Sequence, residues 1–280
     1  MEIKQIFIQG AGTMGNGIAQ VSAQAGYDVV MMDLSTEFVQ KGMDTIGKSL
    51  TRMVDKGKMK AEEKSAILSK IMPVTNIQEA KGADLAIEAV FEDLEVKKKV
   101  FKTLDEICPP HAILASNTSA LPIAAMAAST KRPGQVLGLH FMNPVPVMRG
   151  VEIIRAITTS DETMAIGRAY LEKLGKEVCE AADYAGFIVS RVLDAMLNEA
   201  VKCLMDGNKA EEIDKAMKIC CNFPMGPLEL IDLAGVDIVL HGLETMKKDF
   251  GDRYNPAPLL QQMVRAGYLG RKTKKGFYSY

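Results

Sequence analysis

The sequence contains no tryptophan, only three histidines, and few aromatic residues, which make up 6% of the chain. Its five cysteines are odd in number, include the adjacent pair Cys220 and Cys221, and have no metal-ligand spacing. Such a set is a poor disulfide framework and a poor metal site, so we expect reduced thiols, no metal and a cytoplasmic protein.

No apolar run approaches the roughly 20 residues that are needed to span a bilayer. The 34 basic and 35 acidic residues nearly cancel, which gives no electrostatic reason to expect nucleic acid or an anionic membrane surface. A strand pattern begins already at Ile3, so we expect no signal or transit peptide. The chain has 280 residues, enough for one large domain or two modest ones with real cores.

A glycine-rich turn lies between an apolar strand pattern, Ile3 to Gln9, and a helix of small residues that ends at Gly26. The turn reads Gly-Ala-Gly-Thr-Met-Gly, and a second strand, residues 28–32, ends at Asp33. In this context the three glycines give a tight turn, an approach for a pyrophosphate and close packing of helix on strand. We expect a dinucleotide to contact Gly10, Gly12, Thr13, Met14, Gly15 and Asp33. A turn that merely packs well would not explain Asp33, whose carboxylate repels a 2′-phosphate and favours NAD(H) over NADP(H).

A long charged segment, residues 38–71, is helical in pattern and breaks near Lys56-Gly57-Lys58, which predicts a helical hairpin inserted in the sheet. Its lysines are either a solvated face or a surface that meets a phosphorylated substrate. Strands and helices then alternate, which indicates a parallel sheet of the Rossmann type. We expect strands at Val74, 83–89, 112–115, 136–141 and 151–157, and helices at 94–107 and after Ser160.

Polar residues follow the apolar runs, and ligands bind beyond the carboxyl ends of parallel strands. We therefore expect Glu92, Asn117, Ser119 and His140 to converge on one crevice. The segment Ser116 to Ser119 is equally well explained as a helix cap before Pro122.

His140 ends one strand pattern and Glu152 lies in the next, with an Asn-Pro-x-Pro loop between them that excludes a helix. Two strands joined by this loop would place the two side chains together. A histidine oriented by a carboxylate is a general base suited to neutral pH. The alternative is a histidine packed in the core.

Beyond residue 185 the patterns are helical, so we expect a dinucleotide-binding domain at 1–184 and an all-α domain at 185–280. In its first helix the spacing of Ile188, Val192, Met196 and Ala200 predicts a core-facing stripe.

With the glycine turn, Ser116 to Ser119, His140 to Pro146 and Pro224-Met-Gly-Pro227 in place, the chain resembles the L-3-hydroxyacyl-CoA dehydrogenases. Within that family it is most similar to the short bacterial 3-hydroxybutyryl-CoA dehydrogenases. The resemblance covers essentially the whole chain. It implies NAD(H)-dependent interconversion of (S)-3-hydroxybutyryl-CoA and acetoacetyl-CoA, and a homodimer paired through the helical domain, which also forms a wall of the substrate cleft.

The resemblance also assigns roles to individual residues. It implies that His140 is the catalytic base, that Glu152 orients it, and that Ser119 bonds the substrate oxygen. The implied cofactor contacts are Asp33, Glu92, Lys97, Asn117, Ser119, Asn143 and Lys272, and the implied substrate contacts are Ser49, Lys56, Ser119 and Asn143. Ser190 stands where the relatives carry an active-site asparagine, which makes it a further catalytic candidate.

Two other functions share part of this pattern. A β-hydroxyacid dehydrogenase would need a lysine early in the helix after Gly186, but the first lysine there is Lys202. A non-catalytic NAD-binding protein, crystallin-like or redox-sensing, can keep the glycine turn without the catalytic pair. The retained His140 and Glu152 disfavour it.

Overall fold

The computed structural model describes all 280 residues, which divide into two compact units, Met1–Asp183 and Tyr184–Tyr280. None of the helices combines the length and apolar composition that crossing a bilayer requires.

The first unit is built on one sheet of eight strands. They are Gln5–Gln9 (β1), Asp28–Met32 (β2), Ile71–Val74 (β3), Leu85–Glu88 (β4), Ile113–Ser116 (β5), Val136–Phe141 (β6), Gly150–Arg155 (β7) and Glu177–Ala182 (β8). The spatial order is β3-β2-β1-β4-β5-β6-β7-β8, and every pair is parallel except β6 and β7. The central strands are buried on both faces, as Ile6, Phe7 and Ile8 show, which is usual when helices cover a parallel sheet.

Six helices accompany these strands. They are Thr13–Gln24 (α1), Thr36–Asp55 (α2), Ala61–Ser69 (α3), Leu94–Ile107 (α4), Ile123–Ala127 (α5) and Asp161–Lys173 (α6). Polar side chains begin three of them, because Ser35, Asp93 and Ser160 each accept a hydrogen bond from a backbone N–H of the first turn. The structure confirms the predicted Rossmann-type α/β fold, with α2 and α3 forming the hairpin between β2 and β3.

The second unit is all-helical, also as predicted. Its helices are Val189–Met205 (α7), Ala210–Cys220 (α8), Pro227–Ala234 (α9), Val236–Phe250 (α10) and Pro258–Arg265 (α11). Its core contains Leu197, Val201, Leu228, Leu243 and Leu260.

The predicted core stripe of α7 is confirmed for Met196 and Ala200, which belong to or pack against the core, and is wrong for its first two residues. Ile188 and Val192 are 49% and 66% exposed, whereas Asp194, Leu197 and Asn198 are buried. The reason is that a polar side chain belongs to the inner face. Asn198 donates to the carbonyl of Asn255 and accepts from the N–H of Ala257, so it replaces an apolar contact by two backbone hydrogen bonds.

Candidate active site

The glycine turn between β1 and α1 has room for only hydrogen at two of its positions. A Cβ on Gly10 would lie 2.4 Å from the carbonyl oxygen of Ala89, and Gly10 also has a φ of +110°. A Cβ on Gly15 would lie 1.7 Å from the carbonyl oxygen of Gly10. Gly12 differs, because a Cβ there would meet nothing within 4 Å. Open space at Gly12 is what a phosphate group needs in order to reach the backbone.

The first turn of α1 has no side-chain cap and no acidic residue, so no protein group accepts from its leading amides. Thr13 and Met14 begin this turn. The side chain of buried Asn16 stabilises the glycine turn before this helix by donating to the carbonyls of Ala11 and Gly12, at 3.3 and 2.6 Å. An uncapped helix N-terminus fits the pyrophosphate of a dinucleotide.

Asp33 follows β2 directly and reaches back to the same turn. Its Oδ2 accepts from the N–H of Ala11 at 2.7 Å, and its Oδ1 accepts from Leu34 N–H at the same distance. The carboxylate is therefore held beside the glycines, where a ribose would lie when the pyrophosphate occupies the helix end. The residues present fit NAD.

A buried ion pair lies at the carboxyl end of β4, next to β5. Lys97 is 1% exposed and Glu88 is fully buried, with 2.6 Å between Nζ and Oε1. Lys97 also lies 3.2 Å from Oε2 of Glu92, and Ser116 donates to Oε2 of Glu88 at 2.7 Å. Lys97, predicted as a cofactor contact, is thus enclosed by protein carboxylates.

The segment after β5 is organised by Thr118 and Glu92. The Thr118 hydroxyl donates to Oε1 of Glu92, and the Ser119 N–H donates to the same oxygen at 3.1 Å. The alternative, in which Ser116 to Ser119 caps the following helix α5, does not hold. The carboxylate of Asp183 instead accepts from the first amides of α5, those of Ile123 and Ala124.

Asn117 links this segment to the next strand. Its Oδ1 accepts from the N–H of Phe141 at 3.0 Å, directly after His140. Glu92, Ser119, Asn117 and the His140 end of β6 are therefore brought together, as predicted.

His140 and Glu152 are opposed residues of the antiparallel β6–β7 pair. The distance between Nδ1 of His140 and Oε2 of Glu152 is 2.7 Å, and the residues are 5% and 1% exposed. The loop that joins the two strands contains Asn143 and is held by Lys176, whose Nζ donates to the carbonyls of Val145 and Met148, both at 2.6 Å. Burial lowers the pKa of Lys176.

The remaining candidates lie in two other places. Ser49 and Lys56 are seven residues apart on α2 and at its end, so they share one face of the hairpin. In the second unit, half-buried Ser190 lies in the first turn of α7. Lys272 is held by both carboxylate oxygens of Asp237, at 2.5 and 2.7 Å.

Sequence reasoning missed Glu88, Ser116, Asn16 and Lys176. A signal existed for Glu88, since it is a carboxylate within the apolar stretch Leu85-Ala-Ile-Glu-Ala-Val and precedes Lys97 by nine residues. No sequence signal marks Lys176, because its partners are backbone carbonyls distant in the chain.

Comparison with known proteins identifies this architecture. The chain matches the family models of the 3-hydroxyacyl-CoA dehydrogenase NAD binding domain over residues 5–184 and of the C-terminal domain over residues 186–280. It is 49% identical to a probable 3-hydroxybutyryl-CoA dehydrogenase of Bacillus subtilis, over 100% of this chain and 98% of the relative. It is 45% identical to a 3-hydroxybutyryl-CoA dehydrogenase of Bradyrhizobium diazoefficiens, over 99% and 96%.

A solved structure agrees with the sequence matches. The crystal structure of (S)-3-hydroxybutyryl-CoA dehydrogenase from Ralstonia eutropha superposes with a TM-score of 0.96 at 45% identity, covering 100% of this chain and 99% of that one. With two family models that together account for nearly every residue, the chain belongs to the 3-hydroxyacyl-CoA dehydrogenase family.

Proposed function

We propose that this NAD-dependent oxidoreductase is a cytoplasmic enzyme that interconverts (S)-3-hydroxybutyryl-CoA and acetoacetyl-CoA, with His140 and Glu152 as its acid–base pair. The observation that carries the proposal is the 2.7 Å hydrogen bond between Nδ1 of His140 and the Glu152 carboxylate, in a chain whose relatives carry this activity in their names. When NAD⁺ is bound, it would accept the hydride that leaves C3 of the substrate.

His140 is the group that moves the proton. Because Nδ1 bonds to Glu152, the proton of the C3 hydroxyl is taken at Nε2. Glu152 fixes the tautomer in which Nδ1 carries hydrogen, and its charge stabilises the imidazolium that forms. In the direction of reduction the imidazolium returns the proton to the oxygen.

Ser119 orients the substrate. Its backbone N–H bonds to Glu92, which leaves its exposed hydroxyl to donate to the oxygen on C3. Asn117 accepts from Phe141 N–H and so fixes the distance between the Ser119 segment and the end of β6. Asn143 and Ser190 are further candidates for contacts with cofactor or substrate.

The coenzyme A portion of the substrate meets the α2–α3 hairpin in this proposal. Ser49 donates a hydroxyl, and Lys56, exposed at the end of α2, supplies a positive charge for the phosphates. The homodimer belongs to the proposal too. Val192, Leu233 and Ile238 are 66%, 49% and 59% exposed on the helical unit, which favours a partner there.

The test is NADH oxidation, followed at its near-ultraviolet absorbance, with acetoacetyl-CoA as substrate. We expect turnover by the native chain and none of consequence by His140→Gln, which should still bind NADH. The matched control is His111→Gln, because His111 is a surface residue of the same unit that pairs with Asp84. NADH binding without turnover by the native chain would overturn the proposal and favour the non-catalytic alternative. Sedimentation of the native chain as a monomer would overturn the dimer alone.

A further inference from the structure

The proposed mechanism uses neither member of the Glu88–Lys97 ion pair. Both side chains are almost wholly buried, at 0% and 1% exposure. Withdrawing two charges from water is costly, and an apolar pair of similar volume often stabilises a fold as well or better. The pair therefore calls for an explanation other than stability.

Glu88 uses both of its oxygens. Oε1 accepts from Lys97 Nζ at 2.6 Å and from Val90 N–H at 2.7 Å, while Oε2 accepts from the Ser116 hydroxyl at 2.7 Å. Glu88 and Ser116 are register partners at the carboxyl ends of β4 and β5. One carboxylate thus joins the two loops that leave the sheet at this point.

Lys97 is surrounded by protein oxygens. Its ammonium group donates to Glu88 and, at 3.4 Å, to the carbonyl of Val90, and it forms an ion pair with Glu92, with 3.2 Å between Nζ and Oε2. Lys97 therefore acts through Glu92, which is itself bonded to Thr118 and Ser119.

The two branches from Glu88 both end on residues 118–121, at different amides. The Thr118 N–H donates to Ser116 Oγ at 3.2 Å, and Ser119 N–H donates to Glu92 at 3.1 Å. The next two amides, of Ala120 and Leu121, donate to Thr118 Oγ1 at 3.3 and 3.0 Å. Residues 118–121 therefore depend on side chains of this one network rather than on a helix or a strand.

We infer that Glu88 is a positioning residue that holds the Ser119 segment in place, through Ser116 on one side and through Lys97 and Glu92 on the other. The inference rests on the proposed function for the role of Ser119 at the substrate oxygen. Its structural part, that Glu88 orders residues 118–121, stands without the substrate.

The first experiment measures hydrogen exchange of residues 118–121 in cofactor-free protein. Glu88→Gln keeps the shape of the side chain and removes its charge, so we expect exchange of these amides to rise about tenfold or more while α6 is unchanged. The matched control is Glu95→Gln, since Glu95 is exposed in the first turn of α4 and pairs with Lys98. Unchanged exchange in a folded Glu88→Gln protein would overturn the inference.

The second experiment is a double-mutant cycle with Ser119→Ala, read in kcat with acetoacetyl-CoA. If Glu88 acts through Ser119, Glu88→Gln lowers kcat about tenfold in the native background and less than about twofold in the Ser119→Ala background. Independent, multiplicative losses would show a general structural effect and would overturn the positioning role.

A third variant covers the case in which Glu88→Gln fails to fold. Glu88→Gln combined with Lys97→Met removes both charges and leaves no buried ion unpaired. We expect this protein to melt as the native chain does and still to exchange rapidly at 118–121, because the branch through Glu92 is lost. Native exchange and native kcat in this variant would refute the inference. If the native chain fails to turn over acetoacetyl-CoA, the proposed function is wrong, and the exchange data still decide what Glu88 does.

Discussion

His140 and Glu152 face each other across the only antiparallel pair of strands in the sheet, with 2.7 Å between Nδ1 and Oε2. Directly opposed residues of an antiparallel pair project from the same face, so the strand register itself sets the contact. A slip of one residue would send one side chain to the opposite face. The loop that joins the two strands is held by Lys176, which donates to two of its backbone carbonyls.

Glu152→Gln should lower kcat about a hundredfold or more, because an amide cannot stabilise an imidazolium and can select the wrong tautomer. NADH affinity should change little, since Glu152 lies on β7, away from the glycine turn in the sheet order. Steady-state kinetics and NADH titration check both parts. Glu177→Gln, at an exposed position of β8, is the control. A kcat within twofold of the native value would remove Glu152 from the mechanism.

The glycine turn offers a pair of substitutions with opposite expectations for folding. Gly12→Ala should leave the melting temperature unchanged, since the new methyl meets no protein atom, yet weaken NADH binding about tenfold or more by occupying the space of the pyrophosphate. Gly15→Ala should destabilise the protein itself, because its Cβ would overlap the Gly10 carbonyl. Thermal melts and NADH titrations separate the two effects. Tight NADH binding by Gly12→Ala would place the phosphates elsewhere.

Asp33 should set the choice between NADH and NADPH. Asp33→Asn removes the charge that repels a 2′-phosphate and keeps an oxygen that can accept from Ala11 N–H. We expect the ratio of kcat/KM for NADH over NADPH to fall at least about tenfold, through gain with NADPH and loss with NADH. An unchanged ratio would show that another residue reads the ribose.

The regular parts of the first unit were predictable because their signals are local. The helix Leu94–Ile107 was predicted to the residue from the helical spacing of its apolar side chains, and the glycine turn carries its own steric requirements. The β6–β7 contact was predictable as well, because the Pro-rich loop between two β-like runs leaves a strand pair as the simplest arrangement.

Some contacts were not predictable because they depend on how separate elements meet in space. The enclosure of Lys97 by Glu88 and Glu92 is one of them, since it depends on how α4 lies against the end of β4, and the contact of Lys97 with the cofactor stays a prediction. The cap of α5 comes from Asp183, about 60 residues away, so no local pattern reveals it. On α7 the apolar spacing of Ile188 and Val192 predicted the wrong face, since the burial of Asn198 reflects hydrogen bonds to a later segment.

The buried carboxyl of Asp194 should make the stability of the protein depend on pH. It is 9% exposed on α7, with Gly242 of α10 so close that a Cβ there would lie 2.5 Å from its Oδ2. Burial raises the pKa of Asp194 from 3.8 to about 7, and no hydrogen bond or cation offsets this cause. At a pH between these two pKa values, Asp194 is protonated in the folded state and ionised in the unfolded chain. The free energy of unfolding therefore falls as the pH rises from about 4 to 7, and this contribution stays constant at higher pH.

Asp194→Asn should abolish this loss, because an amide stays neutral at every pH. Relative to the native chain, the free energy of unfolding of the variant should rise between pH 5 and pH 8 by roughly 2–3 kcal/mol. Any cost of the new amide group is the same at both pH values and cancels in the comparison. Urea unfolding at pH 5, 6, 7 and 8 measures the difference, with Asp249→Asn at an exposed site of α10 as the control. If the difference in unfolding free energy between Asp194→Asn and the native protein stays constant with pH, the Asp194 carboxylate is charged throughout this range. A buried carboxyl group that is neutral at pH 5 must make this difference change with pH.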